Sequence, residues 1–320
     1  ERYGMRISEK TRTAAAGLKL NAMELCFYPL FYKKHADVTA QERIRYGNGK
    51  RKMLDVYSKG GSAEKKPMFV YIHGGGWISG LRTARRYYCE HWAENGYVAV
   101  NIGYDYGSEI RHPSHLKDVF AGLTYVLDRA DRFGIDASRV VVAGESAGAY
   151  IAAYVAAAAS HREIYSKYGI DFPYADTFRV GACVLLSGVY SMTRVAGCRF
   201  PDIDLIAHAI CGMDTEGILA LKDAEREEKD GFFSPEYYAD RDFPPAFVVG
   251  SAKDSLLGES TAFYEKLISA GADAEFYLCK GINGVHAGAL ACDRGKSGRD
   301  CVKAAVRFVS EALRVGENVR

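Results

Sequence analysis

Proline is scarce in this chain of 320 residues, with 8 against 33 glycines. That scarcity, with 48% hydrophobic residues, excludes a collagen-like, low-complexity or disordered chain. Long apolar runs are absent too. The longest, residues 149–159, is far short of the ~20 residues a membrane span needs. Charge of one sign is also missing: 42 Lys and Arg face 40 Asp and Glu, a net of +2. Such balance gives no electrostatic footprint for nucleic acid. The brief basic runs Lys50-Arg51-Lys52, Lys65-Lys66 and Arg85-Arg86 read as solvated surface. The 8 cysteines form no C-x-x-C pair and no Cys/His group with zinc-finger spacing. Reduced thiols in a cytoplasmic protein are therefore expected, with a Cys198–Cys211 or a Cys292–Cys301 disulfide left open. The N-terminus has no basic-then-apolar signal pattern, and no internal repeat or long linker interrupts the chain.

What is present is enough for a large core. At 35.2 kDa, area scaling buries about three quarters of the unfolded surface. The length allows two average domains, or one α/β domain with insertions. Residues 11–25 are rich in Ala, Leu, Lys and Met and read as helix. The aromatic stretch 26–32 that follows serves either as core or as the wall of a pocket. Strand texture begins near residue 42, where Ile44, Tyr46, Met53, Leu54, Val56 and Tyr57 flank Gly47-Asn48-Gly49, a hairpin signal. Continuous apolar runs at 67–72, 97–102, 139–143, 180–186 and 245–249 fit buried parallel strands, with a last strand at 274–278. Helical segments at 83–95, 116–132, 147–160, 255–271 and 299–314 lie between them or follow the last. The alternation predicts a doubly wound α/β fold with a mostly parallel central sheet. Residues 188–240 break it, carrying many charges and no convincing strand, and read as an inserted helical segment.

The chemistry concentrates in a few places. Gly144-Glu145-Ser146-Ala147-Gly148 follows a β-branched strand and opens an Ala-rich helix. A serine nucleophile needs that setting, a sharp strand-to-helix turn at a helix N-terminus, with glycines permitting close approach. Chance alone supplies a G-x-S-x-G about 0.2 times in such a chain, so a tight turn with an N-capping serine is the competing reading. His73-Gly74-Gly75-Gly76-Trp77, expected by chance only about 0.01 times, shifts the balance, because a glycine run after a buried strand lets main-chain N–H groups meet a carbonyl oxygen. His73 itself reads as a brace for the loop. A serine needs a base, and the base an orienting acid. His286, in a glycine-rich loop after the last strand, is the candidate base. Asp254, after the strand at 245–249, is the candidate acid, with Glu259 nearby as its competitor. Trp77, Tyr104 and Glu145 are candidate substrate contacts, with Tyr106 and the 27–32 cluster as further pocket material. Gly295-Lys296-Ser297 lacks the upstream glycine of a phosphate-binding loop, since position 290 is Leu.

With HGGGW, GESAG about seventy residues later, Asp254 and His286, the chain resembles the hormone-sensitive-lipase-like esterase and lipase branch of the α/β-hydrolase superfamily over roughly residues 45–315. The resemblance implies an α/β-hydrolase core at 41–187 and 241–320, with helical cap segments at 1–40 and 188–240. It implies Ser146 as nucleophile, His286 as general base and acid, Asp254 as orienting carboxylate, and the amides of Gly74, Gly75 and Ala147 as oxyanion hole. It implies hydrolysis of small carboxylic esters of short to medium acyl chain through an acyl-enzyme, with no cofactor and no metal. A homodimer is left open. Two departures bear on substrate and subfamily: Asp105 stands where the family has arginine, and Lys253 precedes the acid in place of Asp-Pro. An aryl formamidase or peptidase on the same fold is the alternative. A ligand receptor on an inactive hydrolase fold is more remote, because such proteins usually lose the histidine.

Overall fold

The computed structural model describes residues 2–31, 35–61, 64–107 and 110–318. The strands are β1 Val38–Arg45, β2 Met53–Lys59, β3 Lys66–Ile72, β4 Val98–Ile102, β5 Ile135–Glu145, β6 Ala182–Leu186, β7 Ala246–Ser251 and β8 Ala274–Cys279. They form one 8-stranded sheet in the order β1-β2-β4-β3-β5-β6-β7-β8. β1 and β2 pair antiparallel, as do β2 and β4, and every other neighbour pair is parallel. The Gly47-Asn48-Gly49 hairpin is present, but β1 starts earlier than its sequence suggests and carries a bulge between Gln41 and Ile44.

The unbroken apolar runs follow from burial on both faces. In β3, Met68, Val70 and Ile72 enter one core while Phe69 and Tyr71 enter the other. β5 splits likewise, Val140 and Val142 against Val141 and Ala143. Successive strand residues point to opposite faces, so a strand covered on both sides has no polar positions to alternate. The second core is closed by helix Arg86–Glu94 and helix Lys296–Asn318, whose Cys301, Val302, Ala305, Phe308 and Val309 keep helical spacing.

Helix Ala147–Ala158 lies in the first core with all 12 residues buried. Its alanines let it approach the sheet closely. A Cβ at Gly148 would stand 2.1 Å from the Ile72 carbonyl oxygen, and one at Gly144 would stand 2.5 Å from the Gly148 backbone. Residues 188–240 form the helices Met192–Ala196, Ile203–Cys211, Thr215–Leu219 and Asp223–Phe233, with no strand among them. At the N-terminus a single helix runs Arg2–Phe31. The side chains of the aromatic stretch 26–32 lie outside the described residues. Cys198 and Cys211, and Cys292 and Cys301, are free thiols. Among the described residues no helix is long and apolar enough to cross a membrane.

Replacing a helix-interior glycine by alanine ordinarily stabilises by up to about 1 kcal/mol. The close approach at Gly148 reverses that sign. Gly148→Ala is expected to lower the urea midpoint, whereas Gly258→Ala, with open space around its Cβ, is expected to hold or raise it.

Candidate active site

β5 ends at Glu145, and Ser146 turns the chain into helix Ala147–Ala158 with φ 53° and ψ −121°. A positive φ is costly for a residue with a Cβ, so the surroundings must hold it. The Ser146 amide donates to the Leu186 carbonyl at 2.9 Å, and the Ser146 carbonyl accepts from Tyr150 at 3.1 Å. Gly144 and Gly148 supply the clearance on either side. The serine side chain is thereby carried to the C-terminal end of the central strands, at a helix N-terminus. Among the described residues its hydroxyl makes no hydrogen bond.

Asp254 follows β7 and His286 follows β8. His286 Nδ1 lies 2.8 Å from Asp254 Oδ2, and the Leu256 amide donates to Asp254 Oδ1 at 3.0 Å. Burial pushes the Asp254 carboxyl up, but the bond from His286, its charge and the Leu256 amide outweigh this and hold it below its ordinary value. The two loops are tied together by the Lys253 amide on the Gly284 carbonyl at 2.7 Å. Glu259, the competing acid, is engaged elsewhere: it accepts from the Tyr190 and Ser191 amides at 2.8 and 2.9 Å and pairs with Arg194 at 3.1 Å.

The glycine loop corrects three expectations. Gly74 cannot serve an oxyanion, because its amide already donates to Glu145 Oε1 at 2.7 Å. Glu145 is no substrate contact either. It is 1% exposed, accepts from the Tyr71 hydroxyl, and is paired with Arg85, whose Nε and Nη2 stand 2.7 and 2.5 Å from Oε1. Tyr104 is fully buried, stacked on His73 at 4.5 Å, with its hydroxyl donating to the His73 carbonyl at 2.8 Å, so it braces the loop and does not line the cavity. Tyr106 acts similarly through the Gly80 carbonyl at 2.8 Å. His73 is the brace its position suggested, with Nδ1 2.8 Å from the Gly74 carbonyl oxygen. Gly75, Gly76 and Trp77 all have positive φ, at 122°, 60° and 58°. This turn leaves the amides of Gly75, Gly76 and Ala147 without a hydrogen bond among the described residues. Gly76 is the position that sequence reasoning missed. Only the sign of φ along the loop decides which amides are free, and the motif is silent on that.

A small cavity of about 20 Å³ joins Gly76, Trp77, Ser146 and Ala147. Its remaining wall is Leu256 with Val189, Val195, Phe200, Ile203 and Ile206, all five from the 188–240 stretch. Such a volume holds about one water molecule. Phe200 also packs edge-on against His286 at 5.1 Å, which joins the imidazole to the same wall. Trp77 is 1% exposed and meets Tyr150 edge-to-face at 5.0 Å. A larger cleft of about 760 Å³, lined by Lys167 and residues within 224–237, contains none of these groups. Volume is therefore a poor guide to the chemistry here.

Behind the glycine loop stands the N-terminal helix. Glu24 Oε2 meets Arg85 Nη1 at 2.7 Å and the Leu81 amide at 2.9 Å, and Asn21 Oδ1 takes the Gly80 amide at 2.8 Å. Burial opposes the Arg85 charge, but Glu145 and Glu24 more than compensate and raise its pKa. A continuous chain of contacts thus runs from Glu24 through Arg85 and Glu145 to Gly74, beside Ser146.

The BD-FAE family model matches residues 54–267. The chain belongs to the BD-FAE family. Esterase LipQ of Mycobacterium tuberculosis (strain ATCC 25618 / H37Rv) is 26% identical over 271 residues, covering 82% of this chain and 60% of that protein. Esterase LipC of the same organism is 25% identical over 251 residues, covering 77% and 59%. The chain thus spans about 60% of the length of these curated relatives. Among solved structures, esterase B from Lactobacillus rhamnosis superposes with a TM-score of 0.84 over 99% of this chain and 98% of that one, at 18% identity. That likeness shows the fold: the doubly wound sheet is that of an α/β-hydrolase, as the resemblance implied.

Breaking one side of a buried charge pair typically costs about 3–5 kcal/mol. Glu145→Ala is expected to lose stability on that scale in urea unfolding. Glu145→Gln, which can still accept from Gly74, is expected to lose less. Equal stability of all three proteins would remove the role assigned to this carboxylate.

Proposed function

We propose that the chain is a serine carboxylesterase acting on small esters of short to medium acyl chain. The observation that carries this reading is the His286–Asp254 hydrogen bond at the end of the same sheet that presents Ser146 beside unpaired main-chain amides. The esterase names of the relatives support it.

The mechanism follows from these groups. Asp254 accepts from Nδ1–H of His286, which leaves Nε2 with the free lone pair needed to take a proton. Ser146 Oγ attacks the ester carbonyl as its proton passes to Nε2. The carbonyl oxygen becomes an oxyanion, received by amides of Gly75, Gly76 and Ala147. One such donor is typically worth about 3–4 kcal/mol to the transition state. The imidazolium gives its proton to the leaving alcohol, and the acyl group stays on Ser146. Water then gives its proton to His286 and attacks the acyl carbon, and the imidazolium returns that proton to Ser146 Oγ as the acyl–oxygen bond breaks and the acid leaves. No step in this sequence calls for a metal or cofactor.

The substrate reading rests on the cavity wall. Phe200, Ile203 and Ile206 stand over Ser146, and Ile206 carbons lie 3.0 Å from where a Gly76 Cβ would be. Residues 188–240, together with the N-terminal helix, act as the cap. A substrate displaces this apolar wall rather than filling a preformed tunnel, which favours small acyl groups.

The direct test is a p-nitrophenyl ester chain-length series, run beside amides and formyl-kynurenine, with fluorophosphonate labelling. Wild type is expected to turn over short esters fastest and to take up the label. Ser146→Ala is expected to lose the label and about 10⁶-fold in kcat. Amide turnover without ester turnover would replace this reading by the amidase one. Label on Ser146→Ala would remove the serine assignment. Phe200→Ala, which opens the wall, is expected to move the preferred acyl chain to greater length at unchanged labelling. An unchanged preference would show that Phe200 does not bound the acyl site.

A further inference from the structure

His91 sits on helix Arg86–Glu94, and Cys292 and Asp293 sit between Leu290 and helix Lys296–Asn318. Each brings one ligand atom to a common point, and these atoms all lie within 4.8 Å of one another. Nothing in the ester chemistry uses them. Cys292 is fully buried, His91 is half-buried and Asp293 is exposed, so the cluster opens to solvent at one side. Among the described residues neither His91 ring nitrogen makes a hydrogen bond. His35 stands beside it, ring centroids 6.1 Å apart, and its Nε2 is buried without a partner among the described residues. The Tyr87 hydroxyl donates to Asp293 Oδ2, and the Tyr87 ring stacks on His35 at 5.3 Å.

We propose that His91, Cys292 and Asp293 form a binding site for one zinc-like divalent cation, with a fourth position open beside His35.

The donor set selects the ion. Thiolate, imidazole and carboxylate together suit Zn²⁺, whereas Mg²⁺ and Ca²⁺ require oxygen ligands. Zinc–ligand bonds of about 2.0–2.3 Å in a tetrahedron put the ligand atoms roughly 3.2–3.7 Å apart. The observed spread therefore closes by about 1 Å, which side-chain rotation supplies. Tyr87 plays the part that outer groups play at metal sites, orienting a ligating carboxylate by hydrogen bond. A buried thiolate needs a compensating positive charge, and a bound cation provides it. Bonding releases the thiol proton to solvent and involves no redox change.

The site would act as a staple. Cys292 lies on the stretch that continues from His286, and His91 lies on the helix that follows directly from Arg85. A bound cation would fasten the histidine loop to the element that supports the glycine loop. This inference does not depend on the esterase reading and is measured without substrate.

The test uses the full chain, freed of metal with a chelator and then titrated with Zn²⁺ by calorimetry, dialysis with elemental analysis, and thermal melting. Wild type and Ser146→Ala are expected to bind one Zn²⁺ per chain at micromolar or lower Kd and to melt several degrees higher when loaded. His91→Ala and Cys292→Ser are expected to lose affinity at least tenfold. Mg²⁺ and Ca²⁺ are expected to leave the melting temperature unchanged. Co²⁺ is expected to show sulfur-to-metal charge-transfer absorption that Cys292→Ser abolishes. Absence of stoichiometric Zn²⁺ in wild type would overturn the proposal. So would equal binding by His91→Ala, whose half-buried position makes it less prone to misfold than Cys292→Ser.

Discussion

The buried carboxylate of Glu145 is the constraint on which the site's arrangement depends. It is the last residue of β5, so its backbone position is set by the sheet, and its side chain has no access to water. An anion in that position must be met by donors. It receives three: the Tyr71 hydroxyl from β3, the Gly74 amide from the glycine loop, and the Arg85 guanidinium. Each comes from a different segment, so satisfying one charge brings together β3, the loop after it and the start of helix Arg86–Glu94. Ser146, the next residue, inherits that rigidity. The glycine loop is thereby held against the serine turn, which on the proposed reading is the preorganisation that electrostatic catalysis requires.

The same carboxylate explains why a long N-terminal helix is retained beside the sheet. Arg85 has more N–H donors than Glu145 can meet, and Glu24 accepts from Nη1 on its other side. Gly17 allows the helix backbone to lie against the Ile78 carbonyl, where a Cβ would stand only 2.4 Å away. Charge and close packing therefore couple the N-terminal helix to the loop around Gly80. The helices of 188–240 meet the site differently, through apolar side chains that close a cavity of about one water. One element positions the loop, and the other governs space.

Much of the architecture was legible because its causes are local. Two-faced burial makes β3, β5 and β6 continuous apolar runs, and the glycines at 144 and 148 answer a close approach that any residue with a Cβ would obstruct. Chain order along the sheet pointed to an acid after β7 but did not separate Asp254 from Glu259; the partners of each carboxylate do. What was not legible depends on long-range partners. Nothing near Gly74 in sequence announces that Glu145, 71 positions on, takes its amide. Tyr104 and Glu145 read as pocket residues because a polar side chain near a nucleophile suggests contact, and only their burial shows that they support the loop. Phe200 lay in a stretch with no strand and many charges, where no periodicity marked it as the residue packed on His286. The His91, Cys292 and Asp293 cluster escaped for the same reason, since its members are brought together by tertiary structure and not by spacing.

The account is tested most directly by the structure of the covalent fluorophosphonate adduct. It predicts phosphorus bonded to Ser146 Oγ, with the phosphonyl oxygen about 2.7–3.1 Å from amides of Gly75 or Gly76 and of Ala147, while Gly74 still donates to Glu145. Phosphorus on another residue, or a phosphonyl oxygen held by Gly74 with Glu145 displaced, would contradict it.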